Sequence, residues 1–273
     1  MITGFIQPTQ GEIIIDGNNI LKNSQKAKKQ IGYMPEGVPL YNDLTVKEFI
    51  KYSADLKMID KRLKKEKVEK AIKQTNLQEV QNKLIKNLSR GYKQRVSLAG
   101  AIVSEPKILI LDEPTVGLDP KQITEIRTLI KSLKKTHTII LSSHILSEIS
   151  QICEKVIIIN NGKIIAKDTP KNLEQKVRNQ NTITVTVEDA EEKIEEITKN
   201  IKGVNKIKLQ IDNQDGTKQY KIEIEGEMDI RKELFEKYAK NKITIFELKK
   251  DELTLENVFM KLIEDKEQKE EEN

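Results

Sequence analysis

The octet Leu88-Ser89-Arg90-Gly91-Tyr92-Lys93-Gln94-Arg95 and the apolar run Ile108-Leu109-Ile110-Leu111 that follows it, closed by Asp112-Glu113, hold residue types from which chemistry can be built. A short buried strand ending in two adjacent carboxylates sets both acids at a sheet edge, where a metal ion and a water can sit. Asp112 is then the metal ligand and Glu113 the group facing the water, the arrangement that hydrolysis of Mg·ATP requires. Ser89 stands where a helix N-cap belongs. Gly91 has no Cβ, so an anion can approach backbone N–H groups at the positive end of that helix. Taken alone, Ser89 is a cap, Gly91 a kink and the acid pair two solvated turn residues. The acidic strand downstream of the octet favours the chemical reading.

The surrounding pattern predicts the elements that position these groups. Glu12 to Asp16, between Gly11 and Gly17, is a short strand, and Ile31 to Pro35 another that ends at proline. Thr45-Val46-Lys47-Glu48 is a capping box that opens a helix through about Leu56. Lys61 to Gln74 follows as a charged surface helix with Leu63, Val68 and Ile72 on its apolar side. After Ser89, the residues Val96, Ala99, Gly100 and Val103 form a stripe at helical spacing. Asp119-Pro120 starts a further helix, with Ile123, Ile126, Ile130 and Leu133 on its buried side. Thr138 to Leu141 is a β-branched strand that leads through Ser142-Ser143-His144 into a short helix. Strands at Lys155 to Ile159 and Lys163 to Ala166 flank Asn160-Asn161-Gly162, a hairpin turn signal, and a helix begins near Thr169-Pro170.

From about Asn179 the pattern becomes strand (182–187), helix (190–202), hairpin (206–211 with 218–225), helix (230–240), strand (242–248) and helix (255–263). The order β-α-β-β-α-β is that of a ferredoxin-like sandwich. The acidic tail beyond Asp265 has little to bury and is expected to be mobile.

The chain's 273 residues suffice for two domains. Its 48 basic and 43 acidic side chains are interspersed, so the net charge of +5 forms no basic field and a nucleic-acid partner is not expected. The single cysteine, Cys153, has no internal disulfide partner, and the first residues lack a signal-peptide pattern. The longest apolar runs are strand-sized, far below the roughly 18 residues of a spanning helix. A cytosolic chain is expected, with any membrane contact made through a partner.

Residues 1 to about 175 resemble the ATP-binding subunit of bacterial ABC transporters, nearest to the multidrug, sodium-efflux and gliding-motility exporter type. Four ordered words carry the resemblance: the signature octet, the Walker B strand ending in Asp112-Glu113, Gly117-Leu118-Asp119 as the D-loop, and His144 after Leu141-Ser142-Ser143 as the switch histidine. The resemblance implies an α/β fold: an ABC-type P-loop NTPase core over 1–177 with a helical signature subdomain at about 44–105. A small α+β ferredoxin-like domain over 178–264 and a disordered tail over 265–273 complete the expected organisation. It implies ATP and Mg²⁺ as cofactors, Asp112 as metal ligand, and Glu113 and His144 as catalytic residues. Ser89, Gly91, Gln94 and Asp119 would contact nucleotide held by another subunit. Glu36 stands where most of the family has the Q-loop glutamine that touches Mg²⁺, and a carboxylate can still ligate a hard cation. The implied partners are a transmembrane permease and a second nucleotide-binding subunit, either a second copy or a paralogue, with the chain peripheral on the inner face of the cell membrane. Gly37 to Asp43 lies on the surface that meets the permease in this family.

No G-x-x-x-x-G-K-[S/T] phosphate loop occurs in the sequence. In the family, Ile2-Thr3-Gly4 and the strand near Glu12 follow that loop's helix, so the chain reads as truncated at its N-terminus. As written it is expected to bind ATP poorly and hydrolyse it negligibly, because the loop's lysine and its cradle of N–H groups are absent. The alternatives are a non-catalytic regulatory or remnant subunit and, less in keeping with the short Glu36-to-Ser89 spacing, a soluble ABC protein outside transport.

Overall fold

The computed structural model describes residues 1–37, 39–177, 181–188, 190–226, 228–251 and 258–260, the backbone alone for 174–177 and 181. The chain falls into two compact units, Met1–Glu148 and Ile149–Asn273.

In the first unit, β1 (Ile14–Ile15) and β2 (Asn18–Asn19) pair antiparallel around Asp16-Gly17, and α1 (Ser24–Lys29) follows. The central strands are β3 (Ile31–Met34), β4 (Ile108–Asp112) and β5 (Thr138–Ser142), parallel and in that spatial order. Before β4 come the helices α2 (Val46–Leu56), α3 (Lys61–Gln74) and α4 (Arg90–Ile102). Between β4 and β5 lies α5 (Pro120–Leu133), and α6 (Leu146–Ile152) follows β5.

A continuous aliphatic run suits a parallel strand covered on both faces, and β4 obeys. Ile108 and Ile110 pack on a cluster of Ile15, Ile20, Ala27 and Ile31, while the alternating Leu109 and Leu111 are fully buried. Gly32 allows α4 to lie against β3, since a Cβ there would stand 2.3 Å from the Ala101 carbonyl oxygen. The capping box forms: Thr45 N–H donates to Glu48 Oε2 at 2.8 Å, and Glu48 N–H donates to Thr45 Oγ1 at 3.3 Å. On α3 the buried side is Val68, Ala71 and Ile72. Leu63, expected among them, is exposed instead. Five residues before Val68, it stands about 140° around the helix from it.

In the second unit, β6 (Val156–Asn160) and β7 (Lys163–Asp168) form the expected hairpin, with Asn161 and Gly162 both at positive φ, and α7 (Pro170–Val177) follows. Then come β8 (Asn181–Glu188), α8 (Glu191–Lys199), β9 (Val204–Asp212), β10 (Lys218–Ile224), α9 (Arg231–Lys240) and β11 (Thr244–Lys250). Their antiparallel sheet runs β11-β8-β10-β9, the 4-1-3-2 order of a ferredoxin-like sandwich. Ile183, Val185, Val187, Ile222 and Ile224 from the sheet meet Ile194 and Leu234 from the helices in one core. The helix expected over 255–263 and the acidic tail from 265 lie outside the described residues, apart from a helical turn at Val258, Phe259 and Met260.

Candidate functional site

The site is built at the C-terminal ends of β4 and β5. Register sets Asp112 directly opposite Ser142, and the Ser142 hydroxyl donates to Asp112 Oδ1 at 2.5 Å. The next residue, Glu113, takes a left-handed backbone with φ 47°, a conformation a long side chain rarely adopts. Its N–H donates to both the carbonyl and the hydroxyl oxygen of Ser142, each at 3.2 Å, which holds the strained turn.

That turn aims the Glu113 carboxylate at His144. Nδ1–H of His144 donates to Glu113 Oε2 at 2.9 Å, with the Glu113 side chain 16% and the His144 side chain 65% exposed. The bond puts the imidazole proton on Nδ1 and leaves Nε2 as an acceptor in the neutral ring. Tyr33, at the end of β3, completes the edge: burial, and then the Asp112 carboxylate beside it, push its phenol above the ordinary range.

The signature helix meets the loop that follows β4. Ser89 is exposed and caps α4, its hydroxyl accepting from the Tyr92 N–H at 3.5 Å, and Asp119 caps α5, accepting from the Gln122 N–H at 2.9 Å. Between the two caps is a cleft of about 250 Å³ lined by Ser89, Gly91, Arg95, Asp119, Lys121 and Gln122. A roomier depression, about 860 Å³, lies against α9, where lysines and glutamates alternate with nothing reactive among them.

Four details describe how the structure places these residues. Gly91 is buried, and the Gln122 side chain stands 2.8 Å from where its Cβ would be, so Gln122 must swing aside before an anion can reach that backbone. Gln94 is buried, and its amide donates to the Pro114 carbonyl at 3.4 Å, which ties α4 to the loop after Glu113. Arg90 lies across Gly117, which has φ 68° and no room for a Cβ. Glu36 is exposed on the loop after β3.

Among the described residues no three His, Cys, Asp or Glu side chains gather into a metal cage. Mg²⁺ needs none, since it is commonly held by one or two protein oxygens together with phosphates and water. The Asp112 carboxylate beside the Ser142 hydroxyl is a hard-oxygen donor set that fits such an ion.

Sequence reasoning passed over Ser142, Tyr33, Gln122 and the pair Thr115 and Glu148. A signal existed for Ser142 alone, which closes an aliphatic strand as Asp112 does.

Comparison with known proteins identifies a family. A family model described as ABC transporter matches residues 1–116. The bacitracin transport ATP-binding protein BcrA of Bacillus licheniformis is 39% identical over 198 residues, 69% of this chain and 64% of its own length. The chain thus spans less than two thirds of that relative. The ABC transporter ATP-binding protein NatA of Bacillus subtilis is 32% identical over 182 residues, 66% of this chain and 74% of its own. Among solved structures, cbiO1 from Clostridium perfringens, part of the ABC transporter complex cbiONQ, superposes with a TM-score of 0.57 at 31% identity, covering 63% of this chain and 71% of that one.

Proposed function

The chain belongs to the family of ABC transporter ATP-binding proteins, and from that premise we propose that its acidic strand end and its signature helix act on ATP held between two nucleotide-binding subunits. The observation that carries the reading is the Glu113–His144 hydrogen bond with Asp112 adjacent at the end of β4. Asp112, with Glu36 reaching in from its loop, would hold Mg²⁺, which neutralises charge on the phosphates when bound. Glu113 would orient the attacking water and accept its proton, and His144 would contact the γ-phosphate. Across the dimer, Ser89 and the N–H of Gly91 would grip the γ-phosphate of the other subunit's nucleotide, with Asp119 linking the two sites.

The work done is transport. The likeness to BcrA and NatA supports a transporter subunit, which we read as an exporter type, and the cbiONQ assembly of a relative supports a transmembrane permease as partner. Among the described residues no helix is long and apolar enough to cross a membrane, in keeping with a peripheral place through that permease. The ferredoxin-like unit is proposed as an accessory domain.

Because the 273 residues contain no phosphate loop, we propose that they bind ATP weakly by themselves. The test compares ATP binding and hydrolysis by this chain with those of the same chain joined to a phosphate-loop segment. Strong binding and turnover are expected only in the joined protein, and equal ATP affinity in the two overturns the reading. A second reading is a non-catalytic subunit whose signature face closes over an intact partner's ATP. Stimulation of such a partner by this chain, abolished by Ser89→Arg, would distinguish it.

A further inference from the structure

Two hydrogen bonds cross from the loop after β4 to the segment that leads into α6 and to the first turn of α6 itself. The outer one joins Glu113 to His144 and is open to water on the imidazole side. The inner one runs from the Thr115 hydroxyl to Glu148 Oε2 at 2.6 Å, between residues only 2% and 4% exposed. Thr115 lies two residues past Glu113, and Glu148 lies four past His144, in the third position of α6. The bonds are therefore successive rungs between the same two segments. The other Glu148 oxygen faces Arg127 Nη2 of α5 at 3.9 Å, which supplies the opposite charge.

A buried carboxylate is costly unless it is both paired and hydrogen-bonded, and an apolar pair of similar size would fill the space with less penalty. What the carboxylate contributes instead is direction, since one side chain joins the loop, α5 and α6 at defined angles. The outer rung needs such support. A hydrogen bond half in water contributes little by itself, and Glu113 sits in a backbone conformation that persists only when its surroundings over-determine it.

We propose that Glu148 is a positioning residue that keeps Glu113 and His144 at bonding distance, acting through Thr115. The inference rests on the reading of Glu113 and His144 as the reacting pair, but its test uses no nucleotide, so a failure of either can be told from a failure of the other. The imidazole ¹H–¹⁵N resonances of His144 are recorded in the full chain, with those of His137 identified by His137→Gln. Glu113→Ala defines the signature of a broken outer rung. Glu148→Ala and Thr115→Val are expected to move the His144 resonances in the same direction. Glu148→Gln, whose amide oxygen still accepts from Thr115, is expected to retain the native positions. Should Glu148→Ala fail to fold, Thr115→Val decides, because it replaces only the hydroxyl with a methyl of similar size. Unmoved His144 resonances in Thr115→Val, or in Glu113→Ala itself, overturn the proposal.

Discussion

The open end of the β3-β4-β5 sheet and the closed core of the β8–β11 sandwich treat polar atoms in opposite ways. At the sheet end, carboxylates, a hydroxyl and an imidazole stand side by side at or near water, on a backbone bent out of its comfortable range at Glu113. In the sandwich, aliphatic side chains fill the interior, and the buried Thr198 hydroxyl donates to the Ile194 carbonyl while accepting from Tyr238. One region gathers polar groups at its surface and the other keeps nearly all of them out of its core. Substitutions should separate the two, with losses of rate at the first and losses of stability at the second.

The largest expected effect is at the sheet end. In a protein joined to a phosphate loop, Glu113→Gln should lower kcat by about 10²–10⁴-fold while its urea midpoint does not fall. A matched loss of stability would show that Glu113 belongs to the scaffold. Next, Ile222→Ala in the sandwich should cost about 2–5 kcal/mol in denaturant unfolding, because its fully buried side chain has neighbours on both sheet and helices. A smaller cost would mean that the core can collapse into the space. Thr45→Ala removes the reciprocal cap of α2 and should cost about 0.5–2 kcal/mol, read by thermal unfolding.

The smallest effect has the opposite sign. The Tyr220 hydroxyl is buried without a hydrogen-bond partner among the described residues, so Tyr220→Phe should be neutral or stabilise by about 1 kcal/mol. It carries a pH signature as well. Burial, chiefly, raises the phenol from 10.0 to about 12, so its contribution is intact below pH 10 and is lost as pH rises from there to about 12. Tyr220→Phe should flatten that alkaline slope, and an unchanged slope would assign it elsewhere.

Local chemistry was legible in the amino-acid order. The Thr45–Glu48 box, the Asp119-Pro120 helix start, the Asn161-Gly162 hairpin and the acids closing β4 each depend on neighbours within a few residues, and each forms where expected. What escaped depends on strand register and helix packing. That Ser142 faces Asp112 follows from how β5 aligns with β4. The meeting of Thr115 with Glu148, and the covering of Gly91 by Gln122, follow from how α5 and α6 lie beside the sheet. No short-range pattern encodes those juxtapositions, and Glu148 in particular reads as an ordinary first-turn acid.

The left-handed turn at Glu113 also bears on what a laboratory selection would do to this polypeptide. Asparagine tolerates that backbone shape more readily than glutamate does. A library sorted for heat resistance alone would therefore drift toward Asn at position 113 and grow hardier as it fell silent, so thermal enrichment there marks chemistry being discarded.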